Sequence, residues 1–173
     1  MASNANERVS EYKALGIPAG TLPGSVLVDT NEMKWTPFPG ADAGEFLLLS
    51  LDPANGGWTG IVRFPPGIRI QMHLHAGGVD VYNLSGHWTY DGGDMKPGSY
   101  FYEPAGIIHE PDIEDDVTMF VVVRGISMYF GDDGHVSSWL DSHMLYTLCK
   151  ANGAAEHLKH YDGLMTERAL PSA

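Results

Sequence analysis

Gly67-Ile-Arg-Ile-Gln-Met-His73-Leu-His75-Ala-Gly-Gly-Val-Asp80 is answered further along by Glu103-Pro-Ala-Gly106-Ile-Ile-His109. His73 and His75 are two apart, and residues two apart on a strand project to the same side. Their Cα atoms then lie roughly 6.5–7 Å apart, from which both imidazoles can reach one metal through bonds of about 2 Å. Two solvent-facing histidines would give the same pair, so the pair alone decides little. His109 supplies a third imidazole. The Gly98-x5-Pro104-x-Gly106-x2 run ahead of it reads as a strand–turn–strand whose Pro and Gly fix the bend that aims it. Three neutral imidazoles suit Fe, Zn, Cu or Ni better than Mg or Ca. Along the first strand Arg69, Gln71, His73 and His75 form a polar face, and Ile68, Ile70, Met72 and Leu74 an apolar one. With the histidines turned into a barrel, the apolar side needs cover from a second subunit or the terminal segments.

Short β-like runs flank this stretch, bounded by Gly, Pro, Asn and Asp: Ser25 to Asp29, Glu45 to Leu51, Trp58 to Phe64, Ile68 to His75, Val79 to Leu84, His87 to Tyr90, Ser99 to Tyr102, Thr118 to Arg124 and Ser127 to Phe130. Many short strands with turn signals between them predict an all-β sandwich or barrel rather than βαβ units. After Gly134 the pattern turns helical, with Ser137 or Ser138 as the expected cap, Leu140, Met144, Leu145 and Leu148 at helical spacing, and a second short helix over Ala154 to Tyr161. The expected organisation is a lead-in over 1–22, a single barrel over 23–136, and a C-terminal helical appendage over 137–173 packed on it.

Composition bounds the function. A chain of 173 residues with 43% hydrophobic content fits one globular domain. Its 22 acidic against 10 basic residues give a net charge of −12, and no Lys/Arg cluster appears, so no nucleic-acid partner is expected. Cys149 is the single cysteine and forms no intrachain disulfide. The polar start lacks a signal-peptide pattern and no apolar run is long enough to span a bilayer, so a cytoplasmic protein without membrane contact is expected.

The two motifs, Gly67-x5-His73-x-His75-x4-Asp80-x5-Gly86 and Gly98-x5-Pro104-x-Gly106-x2-His109, resemble those of the cupin superfamily, which implies a double-stranded β-helix (jelly-roll) barrel. In that superfamily a glutamate, the fourth metal ligand, usually stands where this chain has Asp80, and an Asn often stands where it has Ile113. Segments such as Leu51-Asp-Pro-Ala-Asn-Gly-Gly-Trp58, Leu84-Ser-Gly-His-Trp-Thr-Tyr90 and Pro97-Gly-Ser-Tyr-Phe-Tyr-Glu-Pro104 are similar to the 2,4'-dihydroxyacetophenone dioxygenase-like group and to acetylacetone dioxygenase. That resemblance implies one divalent metal ion per chain, Fe(II) first and Zn, Ni or Mn otherwise. It also implies a homodimer, and cleavage of a carbon–carbon bond of a small hydroxyketone or diketone by O2. The metal ligands it implies are His73, His75 and His109.

Glu103 matches a glutamate beside the metal in acetylacetone dioxygenase. It is read either as an acceptor orienting a histidine or a bound water, or as a base toward the substrate, against the alternative of a solvated strand end. The shorter Asp80 is read as standing behind the ligands and leaving room for substrate, with direct ligation as the alternative. Arg69 and Gln71 are read as structural ahead of substrate contacts. Tyr82, Trp88, Tyr100, Phe101 and Tyr102 are core by default and pocket lining otherwise. Two rivals stand beside the dioxygenase: another metal-dependent cupin enzyme (isomerase, lyase or decarboxylase), and the zinc-binding sensory cupin found in anti-sigma factors.

Overall fold

A computed structural model of the chain describes residues 26–90 and 93–165. The lead-in expected over 1–22 lies outside the described residues. The strands are β1 (Thr36–Pro37), β2 (Glu45–Asp52), β3 (Gly57–Phe64), β4 (His73–His75), β5 (Val79–Ser85), β6 (Trp88–Tyr90), β7 (Gly93–Met95), β8 (Tyr100–Glu103), β9 (Ile108–His109), β10 (Asp112–Ile113), β11 (Val117–Val123), β12 (Ser127–Phe130) and β13 (Val136–Leu140). They are followed by helix α1 (Ser142–Ala151) and a 3-10 helix (Glu156–Tyr161). A six-stranded sheet runs β1-β2-β3-β11-β5-β8, a four-stranded sheet β13-β12-β4-β9, and a three-stranded sheet β10-β6-β7. All the pairings are antiparallel. This is the all-β cupin barrel.

Alternation explains why these segments are strands. In β11, Val117, Met119, Val121 and Val123 are buried while the residues between them are only partly so. That period-2 pattern lets one face line a core and the other face outward. Phe46, Trp58 and Val62 extend the same core from the neighbouring strands.

The run from Ile68 to His75 departs from its expected single strand. Only His73–His75 is β4; Arg69 makes an isolated bridge to Asp112, and the chain bends at Met72. The bend resets the alternation, so Ile70, expected on the outer face, lines the same interior as His73 and His75. Leu74 keeps its outward side. In register it continues a row of Trp139, Met128, Leu74 and Ile108 across the four-stranded sheet, with Trp139 50% and Ile108 56% exposed. Residues 26–29, expected as the end of a strand, form none.

The helical tail also differs at its start. Ser137 and Ser138 lie in β13, so the strand runs through the expected barrel boundary at 136. Asp141 caps α1 instead, its carboxylate accepting the Met144 N–H at 2.9 Å. Leu145, Tyr146 and Cys149 bury their side chains in the barrel core. The second expected helix is the 3-10 segment. Its His157 donates to the Leu48 carbonyl (2.6 Å) and its Tyr161 hydroxyl accepts the Leu51 N–H (3.3 Å). Those groups flank the bulge where β2 slips register between Leu48 and Ser50, so the tail satisfies backbone that the ladder leaves free.

Candidate metal centre

Two strand pairings assemble the histidines. His73 and His75 point inward from β4, two residues apart, and the β4–β9 register sets His109 directly opposite His73. One potential ligand atom from each lies within 4.8 Å of the others. His73 Nε2 and His109 Nε2 are 2.9 Å apart, close to the roughly 3 Å between neighbouring ligands at right angles on a metal with bonds of about 2.1 Å. The Glu103–Gly106 corner carries the chain from β8 in the six-stranded sheet to β9 in the four-stranded one. The Gly106 N–H donates to the His75 carbonyl at 2.9 Å, tying that corner to the histidine strand.

Two of the imidazoles are held from behind at Nδ1. That of His73 lies 2.8 Å from the Gln71 carbonyl, and that of His75 lies 2.9 Å from Ser127 Oγ. Donation from Nδ1 leaves Nε2 as the free lone pair, the form a metal requires. His109 Nδ1 sits 2.9 Å from Glu103 Oε2 but off the line of a full hydrogen bond, and among the described residues neither His109 Nδ1 nor Glu103 Oε1 has an aligned partner. Glu103 is 1% exposed. Burial is the main cause lowering the His73 pKa to about 4, with the neighbouring His109 adding to it. Burial, then His73 and His109, take His75 down to about 2. Two buried imidazoles with depressed pKa values, a third beside them and a buried carboxylate behind that third are a donor set that fits a divalent transition metal.

These depressed values carry a pH prediction for the metal-free protein. Between pH 6.5 and about 5 the unfolded chain takes up protons on His73 and His75 that the folded chain refuses. Stability therefore falls as the pH falls, by at most about 1.4 kcal/mol per pH unit for each histidine. Urea midpoints measured with a chelator present should be lower at pH 5.2 than at pH 7. Equal midpoints would show that the two rings are solvated.

The histidines face a cavity of about 90 Å³ whose other walls are apolar, including Phe64, Ile70, Trp88, Phe101 and Met119. Among the described residues no Lys or Arg lines it. Trp88 and Phe101 thus face the pocket, whereas Tyr82, Tyr100 and Tyr102 fall on the outer side of their strands and are exposed.

Asp80 requires a correction. It alternates with Val79 and Val81, which line the cavity, so strand parity turns its carboxylate outward. There it pairs with Arg124 and accepts the Tyr100 hydroxyl at 2.6 Å. It neither joins the histidines nor stands behind them. Arg69 pairs with Glu110 at the surface, and the Gln71 side chain donates to the Phe130 carbonyl. Sequence reasoning missed three contributors: Ser127; Tyr129, whose ring stacks on His73 with centroids 5.1 Å apart; and Tyr90, whose hydroxyl donates to Glu103 Oε2 at 2.6 Å. The Ser127-x-Tyr129 alternation in a strand already expected there was the available signal for the first two.

A barrel of this topology, with three imidazoles converging on its inner wall, defines a metal cupin. The chain belongs to the ChrR cupin-like domain family, whose model matches residues 23–127, more than half of the 173. No curated protein matches it. Among solved structures it is similar to a cupin-like protein of unknown function from Ralstonia eutropha (25% identity over 88% of this chain and 97% of that one, TM-score 0.66). It is also similar to the acetylacetone dioxygenase of Acinetobacter johnsonii (23%, 83% and 96%, TM-score 0.62). A protein from Methylibium petroleiphilum, itself proposed to be an acetylacetone dioxygenase, matches at 21% over 70% of this chain and 91% of that one (TM-score 0.65). At these identities the last two likenesses concern the fold.

Proposed function

We propose that this protein is a mononuclear Fe(II) dioxygenase that cleaves a carbon–carbon bond of a small, uncharged hydroxyketone or diketone with O2. The observation that carries the reading is the cluster of three imidazoles, buried His73 and His75 with the partly buried His109, with no carboxylate among them, at the wall of a compact apolar cavity. Bound iron would supply a divalent charge to hold an enolised dicarbonyl and a redox centre for O2. The chain's own part is to leave that charge uncancelled, since a carboxylate ligand would lower it, and Asp80 faces away. The apolar walls exclude water and accept aliphatic substituents. A cavity of about 90 Å³ is smaller than the roughly 150 Å³ that holds a benzene ring, which favours compact over aryl substrates. With no Lys or Arg among the described lining residues, a substrate carboxylate held away from the metal would be buried unpaired.

Anaerobic reconstitution with Fe(II), followed by O2-electrode assays across short diketones and aryl hydroxyketones, tests this. Uptake is expected with the short diketones first. No uptake across the panel from fully iron-loaded protein would overturn the oxygenase reading. It would favour the second one, a zinc-holding sensory cupin, which the match to the ChrR cupin-like family supports.

A further inference from the structure

The three imidazoles are backed unequally. His73 leans on a backbone carbonyl and His75 on a serine hydroxyl hydrogen-bonded at normal geometry, but His109 faces a carboxylate whose alignment is incomplete. Glu103 is 1% exposed, and among the described residues its Oε1 has no hydrogen-bond partner while Oε2 accepts one aligned side-chain donor, the Tyr90 hydroxyl. A buried carboxylate with so few partners is free to rotate about its last bond unless something fixes one oxygen. Tyr90 is itself fixed. Its ring packs against Phe101 (centroids 4.5 Å apart), Trp88 (6.2 Å) and the His109 ring (5.1 Å, edge-on).

The topology sharpens this. Tyr90 ends β6 in the three-stranded sheet, Glu103 ends β8 in the six-stranded sheet, and His109 ends β9 in the four-stranded sheet. The line from phenol to carboxylate to imidazole therefore joins all three sheets at the histidine cluster. His109 is also the least buried of the three rings and sits on a two-residue strand, so it has the least backbone to hold it.

From this we infer that Tyr90 is a positioning residue for the metal centre. Its hydroxyl fixes Glu103 Oε2 at the place where it can accept the His109 Nδ1–H, and so sets the direction of the His109 Nε2 lone pair. The inference rests on the metal reading above and gives a role to a residue that neither the two histidine motifs nor the clustered ligands contain. Loss of a carboxylate or other outer partner of a ligating histidine costs about 10–100-fold in metal affinity, and Tyr90 acts through such a partner.

The test is a double-mutant cycle on metal affinity, read by chelator competition with Co(II) and Zn(II) and by the visible absorption of the Co(II) protein. Tyr90→Phe keeps the ring packing and removes only the hydroxyl. It should weaken affinity several-fold to about 10-fold and alter the Co(II) spectrum; Glu103→Gln should weaken it about 10–100-fold. In the Glu103→Gln background, Tyr90→Phe should have little further effect, because the group it positions is gone. Leu145→Ala, which destabilises the barrel from α1, controls for general loosening and should leave the Co(II) spectrum unchanged. If Tyr90→Phe matches wild-type affinity within twofold, or costs as much with Glu103→Gln as without it, the inference is overturned while the metal reading stands. A wild-type chain that binds neither ion overturns both.

Discussion

A His73→Ala chain is expected to hold no stoichiometric metal after gel filtration, under conditions where the wild-type chain retains one ion. His73 is the centre of the cluster: its Nε2 is 2.9 Å from that of His109, its ring is 4.9 Å centroid to centroid from His75, and Gln71 fixes its other nitrogen. Removing one of the three proposed ligands should cost more than the about 10–100-fold that follows loss of an outer partner. Competition titration with Zn(II) and Co(II) gives the affinity, and iron analysis after anaerobic loading gives the stoichiometry. O2 uptake should vanish with the metal. The exposed turn residue His135 is the control, since His135→Ala should bind as wild type does. A His73→Ala protein that keeps wild-type affinity would remove His73 from the ligand set, and with it the three-histidine centre.

The second large effect is on stability, and it separates two glycines of the same motif. Gly67 and Gly86 both adopt positive φ, 76° and 77°. Around a Cβ built on Gly67 nothing lies within 4 Å, so Gly67→Ala pays only for the left-handed backbone, about 1–2 kcal/mol. A Cβ on Gly86 would lie 2.0 Å from the Asp116 carbonyl oxygen and 2.8 Å from Val117 Cα. That obstacle is backbone at the start of β11, the strand between β3 and β5 in the largest sheet, and it cannot rotate away. Gly86→Ala should therefore cost about 3 kcal/mol or more. Urea unfolding of the two variants side by side reads the difference. Equal losses would mean that the β5–β6 turn can move away from β11, and that the close approach at Gly86 is not a requirement of the fold.

Much of this molecule was legible in the sequence because it is written in local periodicity. The β-like runs Glu45–Leu51, Trp58–Phe64 and Thr118–Arg124, set off by turn residues, placed β2, β3 and β11 almost residue for residue. Two-residue spacing put His73 and His75 on one side. Two of the shortest strands were missed: β1 and β10 have two residues each, too short to stand out as runs, and pairing with neighbours alone makes them strands. The bend at Met72 defeated parity counting from Arg69 onward. Parity was the better guide for Asp80: two buried valines flank it, and its motif position suggested the opposite of what that alternation implied.

Turn signals between short β-like runs and the spacing of the histidines marked an all-β chain with three candidate imidazole ligands, and the likeness of its two motifs to those of cupins implied the barrel. What only the tertiary structure decided was what stands behind those imidazoles. The Gln71 carbonyl is local to His73, but Ser127, Glu103 and Tyr90 reach the rings from strands in three sheets, across separations set by register and sheet packing. The direction of a lone pair depends on such contacts, and no periodicity along the chain encodes them.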